Sequence, residues 1–252
     1  DFYAPFQLYL SQKRMVFKYL IPLLLLLAAC TDGKRNIRDY YFPVLDMQGG
    51  QVYVFETWEG DKTVDEYWYY RGFVRDSGIF FSATYYNPAF EIGQITREKI
   101  VENGALTRDM FLYETDTVTG KQVQIPTVIE SNNVFPFLVS DSLGIFLYSI
   151  HYQPLFDSGA TIYLVRNRSY LGDGLDFEFE GKKYPTIAFR VREAIGNQKE
   201  GNAEVEGTGV EWYAKGLGLV YYQKTYGSGL FSVEGKLKER ISMQELENRA
   251  RN

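Results

Sequence analysis

The residue types that carry most enzymatic chemistry are scarce in this chain: among 252 residues there is one histidine, His151, and one cysteine, Cys30. A zinc site built from His and Cys, a disulfide framework or a Cys–His nucleophile pair each needs more of them. His151 lies in the strand-like run Tyr148-Ser149-Ile150-His151-Tyr152, and no Gly-x-Ser-x-Gly turn exists to present a serine nucleophile. Gly120-Lys121, Gly181-Lys182 and Gly235-Lys236 are not followed by Ser or Thr, so none is a phosphate loop. Gly207-x-Gly209 and Gly216-x-Gly218 lack the third glycine of a dinucleotide fingerprint. Leu171-Gly172-Asp173-Gly174-Leu175-Asp176 lacks the oxygen spacing and closing Glu of a calcium loop and reads as a turn. No cofactor and no metal are expected. Paired carboxylates survive this elimination, because glycoside cleavage needs only two acids at a suitable separation. Asp173, Asp176, Glu178, Glu180 and Glu211 are the candidates, but Asp176, Glu178 and Glu180 alternate on a polar strand face where solvation accounts for them. The sequence therefore reads as non-enzymatic, and the chemistry left to it is binding. Trp58, Trp68, Tyr70, Trp212 and Tyr213 are the aromatics able to stack on a sugar ring or line an apolar site.

The elements that must position these residues are strands. Tyr, Phe and Trp make up 17% of the chain, and 23 Gly against 8 Pro suits short strands joined by tight turns. A formal charge of -5 argues against a nucleic-acid partner, whose phosphates need an excess of Lys and Arg. Strands are predicted near 51–58, 64–72, 78–86, 93–102, 105–115, 121–129, 143–152, 160–169, 175–180, 184–194, 204–213, 217–226 and 229–238. Ser242 followed by Glu245 predicts a capped terminal helix over 242–251. Strands do not alternate with long helices, so the fold class is mainly β: an antiparallel sheet forming a half-open or closed barrel, with a short carboxy-terminal helix.

Two hairpins can be registered in advance. Leu175, Phe177 and Phe179 share parity with Ile187, Phe189 and Val191, so pairing them on one face requires an odd loop around Gly181. At Asn103-Gly104 a two-residue loop would set Glu98 opposite Asp109 and Lys99 opposite Arg108, so a bulge or shifted pairing is expected. Gln51–Phe55, Tyr67–Tyr70 and Ile79–Tyr86 are apolar on both faces, and the second face must cover a helix, a partner or a ligand cavity.

The amino-terminal segment carries a resemblance. Met15 to Cys30 reads MVFKYLIPLLLLLAAC: a cationic start, an apolar run from Tyr19 too short for the ~20 residues of a membrane-spanning helix, then small residues. Leu27-Ala28-Ala29-Cys30 resembles the bacterial lipobox, which implies acylation of Cys30 and cleavage just before it. On this reading residues 1–14 are upstream sequence translated from an early start and 15–29 are a lipoprotein signal peptide. Residues 30–48 are a lipid-anchored tether, and 49–252 form one β domain. The mature chain would hold 223 residues and a charge of -7. Acyl chains, at about 0.8 kcal/mol per buried CH₂, would hold it to a membrane. Thr31-Asp32-Gly33-Lys34-Arg35 departs from the acidic cluster that follows the cysteine in surface lipoproteins of Bacteroidota, which favours the periplasmic face of the outer membrane over the cell surface. Asp116-Thr117-Val118 and Asp141-Ser142-Leu143 resemble the O-glycosylation pattern of the same phylum, at Thr117 and Ser142.

The carboxy-terminal half carries a second resemblance. Trp212-Tyr213-Ala214-Lys215-Gly216-Leu217-Gly218-Leu219-Val220 is similar to the turn of uncharacterised bacterial envelope proteins, implying a half-barrel like that of lipoprotein carriers. Gly216 would supply a tight turn, and Gly218 a strand position that another group approaches closely. The function expected is a lipid-anchored, non-enzymatic envelope protein binding an apolar ligand, a lipidated chain or a partner protein in a concave β surface. The partners implied are the membrane, through Cys30, and a lipid, glycan or envelope protein. The alternatives are a structural subunit of an outer-membrane or surface assembly, and a carboxylate-dependent glycoside hydrolase or carbohydrate-binding module.

Overall fold

A computed structural model describes residues 33–140, 144–157, 159–197 and 203–251. The chain divides after Lys34 into two units, and the second, Arg35–Asn252, carries the β fold. The described strands are β1 (Lys34–Asn36), β2 (Gln51–Glu59), β3 (Lys62–Arg75), β4 (Gly78–Tyr86), β5 (Ile92–Val101), β6 (Gly104–Thr115), β7 (Gln122–Pro126), β8 (Val128–Pro136), β9 (Leu138–Ser140), β10 (Ile145–Tyr152), β11 (Ile162–Asp173), β12 (Phe177–Phe179), β13 (Lys182–Tyr184), β14 (Thr186–Asn197), β15 (Ala203–Ala214), β16 (Gly218–Tyr226) and β17 (Phe231–Ile241), followed by helix α1 (Met243–Arg251).

Twelve strands close on themselves in the order β6-β5-β4-β3-β2-β17-β16-β15-β14-β11-β10-β8 and back to β6, every neighbour antiparallel. The barrel is closed, which corrects the half-barrel implied by the carboxy-terminal resemblance. Closure falls to β6, which pairs β5 along one edge and on the other pairs β8 through Gly104–Leu106 and β7 through Phe111–Thr115. The stretch predicted as one strand over 121–129 is thus two strands, broken between Pro126 and Val128.

Eight strands enclose a space that side chains just fill, and larger barrels leave a void. This barrel fills one end and leaves the other accessible. Residues 37–47, expected within the tether, instead form a plug: Ile37, Tyr41, Val44 and Met47 are buried in the main core. The segment's apolar groups follow no strand or helix period, and it packs as a single 3-10 turn, Arg38–Tyr40, and irregular chain, tied down by Ile37 N–H to the Phe137 carbonyl, 2.8 Å, and Gly216 N–H to the Asp39 carbonyl, 2.8 Å. Phe42 stacks on Phe81 at 5.0 Å and lies 4.4 Å from Tyr70. Gly218, at φ +85°, sits under the Phe42 ring, where a Cβ would come within 2.5 Å of it. The expected close approach at Gly218 is therefore made by the plug.

The hairpin β12–β13 also joins this end, with Phe177 and Phe179 in the same core. Its register differs from expectation: Phe177 faces Tyr184 and Phe179 faces Lys182, across a two-residue turn of Glu180 and Gly181, both at positive φ. The odd loop fails because β14 does not return on β12; it pairs β11 and β15 instead. At Asn103 the hairpin turns through Glu102-Asn103, and a bulge between Arg97 and Glu98 sets Arg97 opposite Asp109, relieving the like-charge pairing. The second face of the doubly apolar strands is also accounted for. Ser242 Oγ caps α1 by accepting from Glu245 N–H at 3.1 Å, and Leu246 packs on the outward-facing Val52, Val54 and Tyr67. Phe90 stacks on Tyr67 at 5.0 Å.

Candidate functional site

Strand alternation decides what enters the lumen. On β11 the even residues Ile162, Leu164, Arg166 and Arg168 point inward, and across the ladder they face Asn197, Ile195, Glu193 and Val191 of β14. On β15 and β16, Glu211 and Tyr213, then Tyr222, Lys224 and Tyr226, take the same side. Inward glycines make room for them: a Cβ on Gly207 or Gly235 would fall within 2.5 Å of the Tyr226 or Tyr222 ring. The result is a cavity of ≈ 550 Å³, within the range of about 300–1,000 Å³ usual for small-molecule sites.

Its two halves differ. Toward the plug the wall is aromatic, from Trp68, Tyr70, Phe81 and Tyr213. Away from the plug it is largely aliphatic, from Met110, Leu112, Ile150, Leu164, Ile195 and Val233, with Gln94, Thr96 and Tyr152 among them. Between them lies a cluster of charges. Arg168 grips Glu211 with both Nε (2.8 Å) and Nη2 (3.3 Å), and Tyr213 donates to the same carboxylate at 2.9 Å. Lys224 donates to Glu193 at 2.9 Å and lies 3.6 Å from Glu211. Arg166 Nε and the Tyr226 hydroxyl also bond Glu193. Glu98, on the far wall, accepts from the plug residue Tyr41, and Glu66 accepts from Tyr85 (3.1 Å) and Tyr222 (3.0 Å).

Electrostatics separates these acids. Burial would raise both Glu193 and Glu211, but Arg166 and Lys224 outweigh it and draw Glu193 down to about 2, while Arg168, Lys224 and Arg166 hold Glu211 lower still. Glu98 has no cation in contact among the described residues, so burial dominates and pushes its carboxyl up to about 7 despite the Tyr41 bond and the field of Arg168. Burial likewise lowers Lys224. A five-charge cluster inside a barrel is costly to desolvate and is often no more stabilising than apolar replacements, so it points to a role beyond holding the fold.

Of the aromatics singled out from sequence, Trp68, Tyr70 and Tyr213 line this cavity. Trp58 and Trp212 alternate to the outer face, where Trp212 packs on Tyr221 at 4.7 Å. The carboxylates are not brought together. Asp173 pairs with Arg35 at 2.6 Å and Glu180 with Arg240 at 2.6 Å, Asp176 and Glu178 are exposed, and Glu211 is buried in the lumen. His151 faces outward and approaches Glu130 at 3.2 Å. Thr117 is exposed in a turn organised by the Asp116 carboxylate; Cys30 and Ser142 lie outside the described residues. Sequence reading missed Arg166, Arg168, Glu193, Lys224, Glu98 and Tyr226. The signal was parity: Glu193 follows Ile187, Phe189 and Val191 on the apolar side of β14, and a charge on that side belongs to the interior.

No protein-family model matches the chain, and no curated protein matches it at a significant level. Solved structures do. The crystal structure of a presumed lipoprotein from Parabacteroides distasonis matches with a TM-score of 0.53 at 14% identity, covering 80% of this chain and 98% of that one. A presumed exported protein from Bacteroides fragilis, described as having a YmcC-like fold, matches with a TM-score of 0.54 at 13% identity, covering 80% and 99%. The chain is similar to both in fold.

Proposed function

We propose that this protein is a lipid-anchored, non-enzymatic component of the bacterial cell envelope that holds a ligand inside its barrel, on the periplasmic face of the outer membrane. The observation that carries the reading is the ≈ 550 Å³ lumen, plugged at one end by 37–47 and lined beyond it by partly accessible aliphatic groups around buried charges. The rim away from the plug suits an apolar guest: Leu155 and Phe156 of the β10–β11 connection, Leu230 of the β16–β17 connection and Phe231 at the start of β17 are exposed there. The lipobox-like Leu27-Ala28-Ala29-Cys30 supports the anchor, as does similarity in fold to proteins described as lipoproteins or exported. The occupied surface is the inside of a closed barrel, which favours a small molecule over a docked protein. Mass spectrometry of the protein extracted gently from its own membranes tests this. The expected spectrum shows an acylated Cys30 as the first residue and a non-covalent small-molecule adduct; an unmodified, uncleaved chain without adduct refutes it.

A further inference from the structure

The lumen is not uniformly apolar, and its charges do not balance locally. Arg166, Arg168 and Lys224 set three cationic groups against the two carboxylates of Glu193 and Glu211. Arg168 is consumed by its two bonds to Glu211 and one to the Val134 carbonyl at 3.3 Å. Arg166 is not: only its Nε is engaged, by Glu193, and its two amino groups make no hydrogen bond among the described residues. Its side chain is also the most accessible cation of the cluster, at 24% against 13% for Lys224 and 5% for Arg168. Among the described residues Lys224 makes one hydrogen bond with its three donors, to Glu193. The other lumen acids stand apart from this group: Glu98 accepts from Tyr41 and Glu66 from two tyrosine hydroxyls, and neither pairs with Arg166, Arg168 or Lys224 among the described residues. From this cationic floor the aliphatic wall of Met110, Leu112, Ile150, Leu164, Ile195 and Val233 leads away from the plug.

We infer that the ligand is a single-chain amphiphile with one anionic head, its carboxylate or phosphate held by the amino groups of Arg166 and by Lys224, and its apolar chain lying along that aliphatic wall. A planar guanidinium edge with two unused N–H groups matches two oxygens of either head. Head and chain recognition are separate demands that one molecule satisfies, because the floor and the wall belong to one continuous cavity. The inference rests on the proposed function, since it requires the lumen to be the ligand site.

Calorimetric titration of the full chain with laurate, dodecyl phosphate and dodecanol, each below its micelle concentration, distinguishes the two. One of the anions, or both, should bind with one-to-one stoichiometry and roughly tenfold to a hundredfold more tightly than dodecanol, as charge-assisted hydrogen bonds to a partly desolvated head require. The preferred anion identifies the head as carboxylate or phosphate. Arg166→Gln should bring the anions down to the affinity of dodecanol while leaving dodecanol unchanged; Arg166→Lys should restore part of the preference. Equal binding of all three to the unaltered protein overturns the anionic head and leaves the lumen reading standing. Binding of none overturns both, and it does so without any variant that might fail to fold.

Discussion

Glu98 makes a pH prediction whose sign follows from its surroundings. The carboxyl is buried on the β5 wall, with a tyrosine hydroxyl for company and no cation in contact among the described residues, and its value rises from 4.5 to about 7. An acid of this kind binds protons more readily folded than unfolded. Stability is therefore highest below pH 4.5 as far as this group is concerned, and falls as the pH climbs toward 7, where the folded carboxyl must ionise. The gap between the two values corresponds to about 3 kcal/mol at 1.36 kcal/mol per pH unit. Glu193 and Glu211 act in the opposite sense and outside this window, because their depressed values make their contribution complete above pH 4.5 and lost only as the pH falls below it. Thermal unfolding followed by circular dichroism between pH 5 and 8 checks the effect. At roughly 2–4 °C per kcal/mol for a chain of this size, the unaltered protein should lose on the order of 10 °C in Tm across the window. Glu98→Gln should be nearly flat and more stable than the parent at pH 8. A parent whose Tm rises from pH 5 to 8, or a Gln variant with the parent's slope, refutes the burial of an uncompensated carboxyl beside the plug.

Three other substitutions each probe a single contact. Glu211→Gln leaves Arg168 buried without its counter-charge and should cost about 3–5 kcal/mol in guanidinium unfolding; a loss below about 1 kcal/mol would show that the lumen pair is solvated. Gly218→Ala forces an L side chain into a positive φ and into the Phe42 ring, and should cost about 3 kcal/mol, with a limited-proteolysis site opening within 37–47. Leu246→Ala should detach α1 from Val52 and Val54 at about 2 kcal/mol, and should leave ligand affinity unchanged because the helix packs on the outer face of the barrel.

The strands are legible in the sequence because alternation and turn residues are local. The run from Gln51 to Tyr86 and the return from Ala203 to Ile241 match their predicted positions within a few residues. What stays hidden depends on contacts distant in sequence. β8 is not foreseen past residue 129 because Ser131-Asn132-Asn133 reads as a loop; its place is fixed by β10 on one side and β6 on the other. Barrel closure through β6 is a property of two edges meeting, which no single strand announces. The plug has apolar residues without a period, and only the barrel's unfilled end explains them. Half of the site is visible: Trp68, Tyr70, Tyr213 and Glu211 stand out, but as stacking groups and an acid, not as one wall. The cations that complete it sit on the apolar parity of their strands, a pattern that means an internal charge cluster only once the barrel is known to be closed.

The lumen of the barrel is the proposed ligand site. The most direct test is titration of an environment-sensitive apolar fluorophore into the unaltered protein and into Ile195→Trp/Val233→Trp, which fills the aliphatic half with bulk and leaves the charge cluster and the plug in place. Saturable one-to-one binding to the former, lost in the latter at unchanged Tm, is the predicted result. Equal binding to both, or none to the unaltered protein, contradicts it.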